Sequence, residues 1–111
     1  MIRFVIAFML GLLSFQVVYA DDIDRYVREA EYYQKMADGH RREATYYLKK
    51  AERYQHEAAY YTKKGKTNQA KSLQRKLTRA MNDYKTQLRY AADADDKAAD
   101  YLRRASTKLK N

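Results

Sequence analysis

From residue 21 onward, apolar and polar positions alternate with a strict seven-residue period. Three segments, Glu29-Ala30-Glu31-Tyr32-Tyr33, Glu43-Ala44-Thr45-Tyr46-Tyr47 and Glu57-Ala58-Ala59-Tyr60-Tyr61, recur at an offset of 14 residues, two heptads. With Ala30 placed at heptad position a, the a row reads Ile23, Ala30, Ala37, Ala44, Ala51, Ala58 and the d row reads Tyr26, Tyr33, His40, Tyr47, Tyr54, Tyr61. A sustained 3.5-residue apolar period predicts one long helix carrying a single seam, here over residues 21–63. Asp38-Gly39 is the one pair able to end that helix, but the 14-residue phase runs straight through it. Asp21, Asp22 and Asp24 are placed to cap the start, where the helix dipole favours negative charge.

The period breaks at Lys63-Lys64-Gly65-Lys66-Thr67-Asn68. Gly65 can take the left-handed conformation that ends a helix, Thr67 or Asn68 is expected to cap the next one, and residues 64–68 form the expected loop. Over residues 69–110 the period restarts with Leu73, Leu77, Ala80, Tyr84, Gln87, Ala91, Ala94, Ala98, Tyr101, Ala105 and Lys108. A loop this short forces its helices to lie antiparallel. Folding the halves about it pairs Tyr26 with Ala105, Ala30 with Tyr101, Tyr33 with Ala98, His40 with Ala91 and Tyr54 with Leu77, so large meets small at most levels. The expected fold is all-α: a long antiparallel two-helix hairpin, coiled-coil-like, with an Ala/Tyr seam, forming one domain over residues 21–111.

Residues 1–20 have a different character. Arg3 precedes an apolar stretch from Phe4 to Leu13, and Val18-Tyr19-Ala20 followed by Asp21 fits the small-residue rule of a signal-peptidase site. A secretory signal cleaved between Ala20 and Asp21 is expected, which directs the product to the periplasm or outside the cell. The alternative is an uncleaved anchor, since the apolar run nearly reaches the ~20 residues that span a bilayer.

Composition narrows the function classes. There is no Cys and no Pro, and only 3 Gly, which excludes a disulfide scaffold, thiol chemistry and a turn-rich β fold. Beyond residue 20 only eight residues are Ile, Leu or Val, against eleven Tyr. A half-alanine seam is thin, so self-association into a homo-oligomer, or a protein partner that completes the core, is expected.

Charge is unevenly spread. The chain carries +9 overall, and residues 49–89 hold twelve Lys or Arg against Glu52, Glu57 and Asp83. The loop end of the hairpin is thus a cationic tip, with Lys63, Lys64, Lys66, Lys71, Arg75, Lys76 and Arg79 as its anion-binding candidates. Such a tip suits an anionic membrane surface or lipid A phosphates; nucleic acid is not an expected partner in that compartment.

At heptad position c, Tyr32, Tyr46 and Tyr60 repeat every 14 residues on the flank of the seam and are the candidate partner-binding residues. His40 and His56 lack the Glu-x-x-His spacing of bundle metal sites, no Ser, His and Asp share a face, and no Gly-rich loop is present. No enzyme, cofactor, metal or small-molecule substrate is therefore expected. In architecture, a small exported basic helical hairpin is similar to the tentacle helices of Skp-type periplasmic chaperones, without the β-stranded body that joins those and with no shared motif. The expected function is an exported, non-enzymatic helical interaction protein. The alternatives are a periplasmic polyanion or anionic-membrane-surface binder and an inner-membrane-anchored rod.

Overall fold

The computed structural model describes the backbone of residues 2–110 and the side chains of residues 21–110. The chain is all-helical: α1 (Ile2–Lys63) and α2 (Thr67–Lys110) form a hairpin-like arrangement joined by three residues. The chain divides into two compact units, residues 35–94 and residues 1–34 with 95–111. The signal-peptide and anchor readings both fall on residues 1–20, whose side chains lie outside the described residues.

In the full chain α1 is continuous through Asp21, Asp22 and Asp24, which therefore lie inside the helix rather than capping it. The turn to α2 is a Schellman motif. The Gly65 amide donates to the Thr62 carbonyl (3.1 Å) and the Lys66 amide to the Tyr61 carbonyl (2.9 Å), so two carbonyls orphaned by the end of α1 are satisfied. This closure needs a left-handed residue at position 65, and Gly65 supplies it with φ of 73°. The Ala70 amide already donates to the Lys66 carbonyl at 3.1 Å. Lys66 is therefore the first residue of the new helix's hydrogen-bond ladder, and α2 begins at Thr67 rather than 69. Neither Thr67 nor Asn68 occupies the capping position, because the chain re-enters helical geometry directly from the left-handed turn.

Among the described residues the buried set consists of eleven Ala and Leu73. In the unit formed by residues 35–94, Ala37, Ala44, Ala51 and Ala58 of α1 and Ala70, Leu73, Ala80, Ala91 and Ala94 of α2 are buried, and Ala37, Ala91 and Ala94 form one packed cluster. Tyr47, Tyr54, Tyr61, Leu77 and Tyr84 are half-buried beside them. One rung is polar. His40 Nδ1 donates to Gln87 Oε1 at 2.7 Å, and the His40 ring lies 5.4 Å from that of Tyr90. His40 thus meets Gln87 one turn away from the Ala91 expected opposite it, because a ring N–H removed from water needs an acceptor that alanine lacks.

In the other unit Ala30, Ala98 and Ala105 are buried, and tyrosine rings from both helices meet. Tyr101 stacks on Tyr33 with centroids 5.8 Å apart and planes 10° from parallel, and it lies 6.2 Å from Tyr26. Alanine leaves a gap opposite Tyr101, and the two α1 rings one turn either side of Ala30 close on it. Each such aromatic pair is worth about 0.5–1.5 kcal/mol beyond the area it buries.

Candidate functional site: a cationic loop end and exposed tyrosines

Helix geometry decides where the candidate cations point. Lys71, Arg75 and Arg79 recur at four-residue intervals, so they form a row on the outer face of α2, stepping about 6 Å along the axis. Gln74, Thr78 and Asn82 form a second row alongside, and together the two rows line an open groove. The Thr78 hydroxyl is directed inward, donating to the Gln74 carbonyl at 3.0 Å, so Gln74 and Asn82 offer that row's free amide donors. Lys76 lies on the adjacent face, lining two smaller clefts, one with Tyr47, Tyr54 and Asp83 and one with Glu57, Tyr61 and Leu73.

All seven candidate cations are exposed. Among the described residues, no ion pair involves any residue from 49 to 89, whereas Arg25, Arg41, Arg103, Arg104 and Lys108 each pair with an Asp. The reason is local. An Asp three or four residues before an Arg reaches it on the same helix face, and around the loop there are too few acids to supply such partners.

Several of these cations rest on tyrosine instead, which the charge pattern alone did not reveal. Lys64 lies 5.5 Å from the Tyr60 ring centroid and Lys66 6.0 Å from that of Tyr61. Farther along the same unit, Lys50 sits over Tyr46 at 5.2 Å and Tyr47 at 5.9 Å, Arg53 over Tyr54, and Arg89 over Tyr90. The signal was available in the i, i+4 spacing of Tyr46 with Lys50 and Tyr60 with Lys64, which places the ammonium above the ring. Lys66 and Tyr61 are the C″ and C3 residues of the Schellman turn, so this contact takes the place of the apolar one usual there. Lys63, Lys71, Arg75, Lys76 and Arg79 carry neither an ion pair nor a ring contact among the described residues.

The three flank tyrosines are exposed: Tyr32 by 58%, Tyr46 by 55% and Tyr60 by 56%. Each is met edge-on by the seam tyrosine that follows it, at 5.2 Å for Tyr32–Tyr33, 5.4 Å for Tyr46–Tyr47 and 5.3 Å for Tyr60–Tyr61. The neighbouring ring holds each flank ring in place and leaves its outer face to solvent. Tyr46 and Tyr60 belong to the unit that contains the cationic loop; Tyr32 belongs to the other.

Among the described residues no group of three His, Asp or Glu side chains is placed to hold a metal ion, and no helix is long and apolar enough to cross a membrane. The site can therefore attract anions, stack aromatic or planar groups, and pack against another surface. No family model, curated protein or solved structure matches this chain.

Proposed function

We propose that the chain is an exported, non-enzymatic helical interaction protein. It assembles with itself or docks a partner along its tyrosine flank, while its Lys/Arg loop end engages an anionic surface such as phospholipid headgroups or lipid A phosphates. The observation that carries the reading is the segregation of charge. Distant from the loop, Arg25, Arg41, Arg103, Arg104 and Lys108 pair with aspartates, whereas among the described residues no Lys or Arg from 49 to 89 pairs with an acid. An unpaired cation near an anionic membrane contributes about 1 kcal/mol, so a cluster of them makes binding steep in salt. On this reading export is accompanied by cleavage after Ala20, which leaves Asp21, Asp22 and Asp24 in the first turn of the mature helix, where their charge is favourable.

The test is co-sedimentation with phosphatidylglycerol vesicles across a salt series, with phosphatidylcholine vesicles alongside. Binding to the anionic vesicles alone, weakening as salt rises, is expected. Replacing Lys63, Lys64, Lys66 and Lys71 with Gln should weaken it on the order of 10²–10³-fold, from about 1 kcal/mol per residue, with helicity unchanged. Wild-type protein that ignores anionic vesicles at low salt would show the loop end to be a solubilising face only. A second reading, in which binding the anionic surface is the whole function and the helices are a spacer, is favoured by the unpaired cations themselves. Substitution of Tyr32, Tyr46 and Tyr60 separates the two, because a spacer would lose no partner. The mass of the accumulated protein decides between a cleaved product and an inner-membrane-anchored form that keeps Met1.

A further inference from the structure

Lys76 joins two clefts that recur along one side of the helix pair within residues 35–94. The first lies between Tyr47, Lys50 and Tyr54 of α1 and Lys76, Arg79 and Asp83 of α2. The second, nearer the loop, lies between Glu57 and Tyr61 of α1 and Gln69, Ser72 and Lys76 of α2. Lys50, Glu57, Lys76 and Asp83 each fall at heptad position g, immediately before a seam residue, and in an antiparallel pair the g rows border the same side of the seam. The lining advances by one heptad from cleft to cleft, Tyr54 to Tyr61 on α1 and Asp83 to Lys76 on α2, so the clefts repeat at roughly 10 Å along the axis. Each brings together the half-buried ring of a seam tyrosine, a cation and a carboxylate. Exposed rings border both, since Tyr46 meets Tyr47 edge-on and Tyr60 meets Tyr61. The opposite charges face each other without closing. Asp83 shares its cleft with Lys50, Lys76 and Arg79, and Glu57 shares its own with Lys76, yet among the described residues neither carboxylate has an ion pair or a hydrogen bond.

We infer that these clefts bind an acidic polysaccharide that runs along this side of the helices. Tyrosine rings stack on the C–H faces of the sugars, Asp83 and Glu57 accept hydrogen bonds from sugar hydroxyls, and Lys50, Lys76 and Arg79 take the acidic substituents. Two observations select this class of ligand. The first is the carboxylate in each cleft. A strand that carries a phosphate at every step would bring like charge against Asp83 and Glu57, whereas a chain that alternates hydroxyls with acids makes those carboxylates the strongest acceptors on the face. The second is the regular repeat, whose period is about the length of a disaccharide in an extended chain. The clefts measure 190 Å³ and 230 Å³, below the roughly 300 Å³ at which sites for larger ligands begin, and so are of a size for single sugar units. This rests on the anion-binding reading of Lys76 and Arg79 and names the chemistry they take; it does not depend on the loop end binding a membrane.

The test sets the purified protein against three soluble probes: polygalacturonate, which offers carboxylates, hydroxyls and sugar faces; inorganic polyphosphate, which offers charge alone; and single-stranded oligothymidylate. Calorimetric titration at fixed salt should rank polygalacturonate tightest. Asp83→Ala, at an exposed helical position, should weaken polygalacturonate binding about 10-fold by removing a charged acceptor, and should strengthen polyphosphate binding by removing a repelling charge. That opposition of sign is the signature of an acceptor for hydroxyls. Tyr54→Leu keeps an apolar residue in the seam and should weaken polygalacturonate while sparing polyphosphate; circular dichroism checks that both variants stay helical. If Asp83→Ala strengthens binding of every probe, or if polyphosphate or the oligonucleotide outranks polygalacturonate, the inference is overturned and the face is a general anion site. Protein that ignores polygalacturonate yet binds phosphatidylglycerol vesicles would overturn the inference and leave the anionic-surface reading standing. Protein that takes polygalacturonate and ignores the vesicles would uphold the clefts and refute that reading.

Discussion

Two glycines placed in opposite backbone regions yield a paired prediction of opposite sign. At Gly65 a Cβ would meet nothing within 4 Å, but φ of 73° forces any L-residue into the left-handed region. Sterics are therefore absent, and the cost of Gly65→Ala is the conformational term alone, roughly 1–2 kcal/mol. At Gly39 the backbone is ordinary α-helix, and an added Cβ would lie 3.9 Å from Arg42 Nη2, a normal van der Waals contact with a movable side chain. There Gly39→Ala removes only the glycine penalty, a gain of about 0.5–1 kcal/mol. At roughly 4–8 °C per kcal/mol for a domain of this size, Gly65→Ala should melt about 4–16 °C below wild type and Gly39→Ala about 2–8 °C above it. Thermal melts followed by circular dichroism at one fixed protein concentration measure this, since self-association would otherwise move the midpoint. If Gly65→Ala melts at or above wild type, the left-handed closure of the turn is wrong. If Gly39→Ala lowers the midpoint, α1 does not run unbroken through that position.

Other positions follow from the same packing. Ala37 is fully buried against Ala91 and Ala94, so Ala37→Leu should destabilise by about 1–3 kcal/mol through overpacking, whereas Ala59→Leu, at an exposed position, should change the midpoint little; urea melts compare them. A double-mutant cycle on Tyr33 and Tyr101 should return a coupling of about 0.5–1.5 kcal/mol, the value for stacked rings, and zero coupling would mean that the rings do not meet in solution.

Periodicity was informative wherever a position's character is set by its face. The alanines at 30, 37, 44, 51 and 58 are buried because a seven-residue repeat returns each to the same side of α1, and the restart at Leu73 and Ala80 follows from the same rule. The hairpin-like pairing was legible because Gly65 stands alone in a stretch that breaks the period. Periodicity has no hold on what a side chain does after leaving the backbone. Tyr101 closing on both Tyr26 and Tyr33, or Lys50 lying across two rings, is a choice among rotamers. The start of α2 at Thr67 was missed for a related reason. The first helical bond is received by the Lys66 carbonyl, a group common to every residue type and so invisible to a search for capping side chains.

The hydrogen bond between His40 and Gln87 bears on how the helices find their alignment. Alanine layers are interchangeable: sliding one helix past the other by seven residues brings methyl against methyl again, at little cost. A polar rung has one home, because displaced by a heptad the imidazole would face a methyl and the amide would lose its partner. Within residues 35–94 the turn at Gly65 pins one end of the ladder and the His40–Gln87 rung pins the other. A version with apolar residues at both positions could be more stable and yet less certain where to stop sliding. The least hydrophobic level of the interior is then the one that tells the two helices when they are correctly aligned.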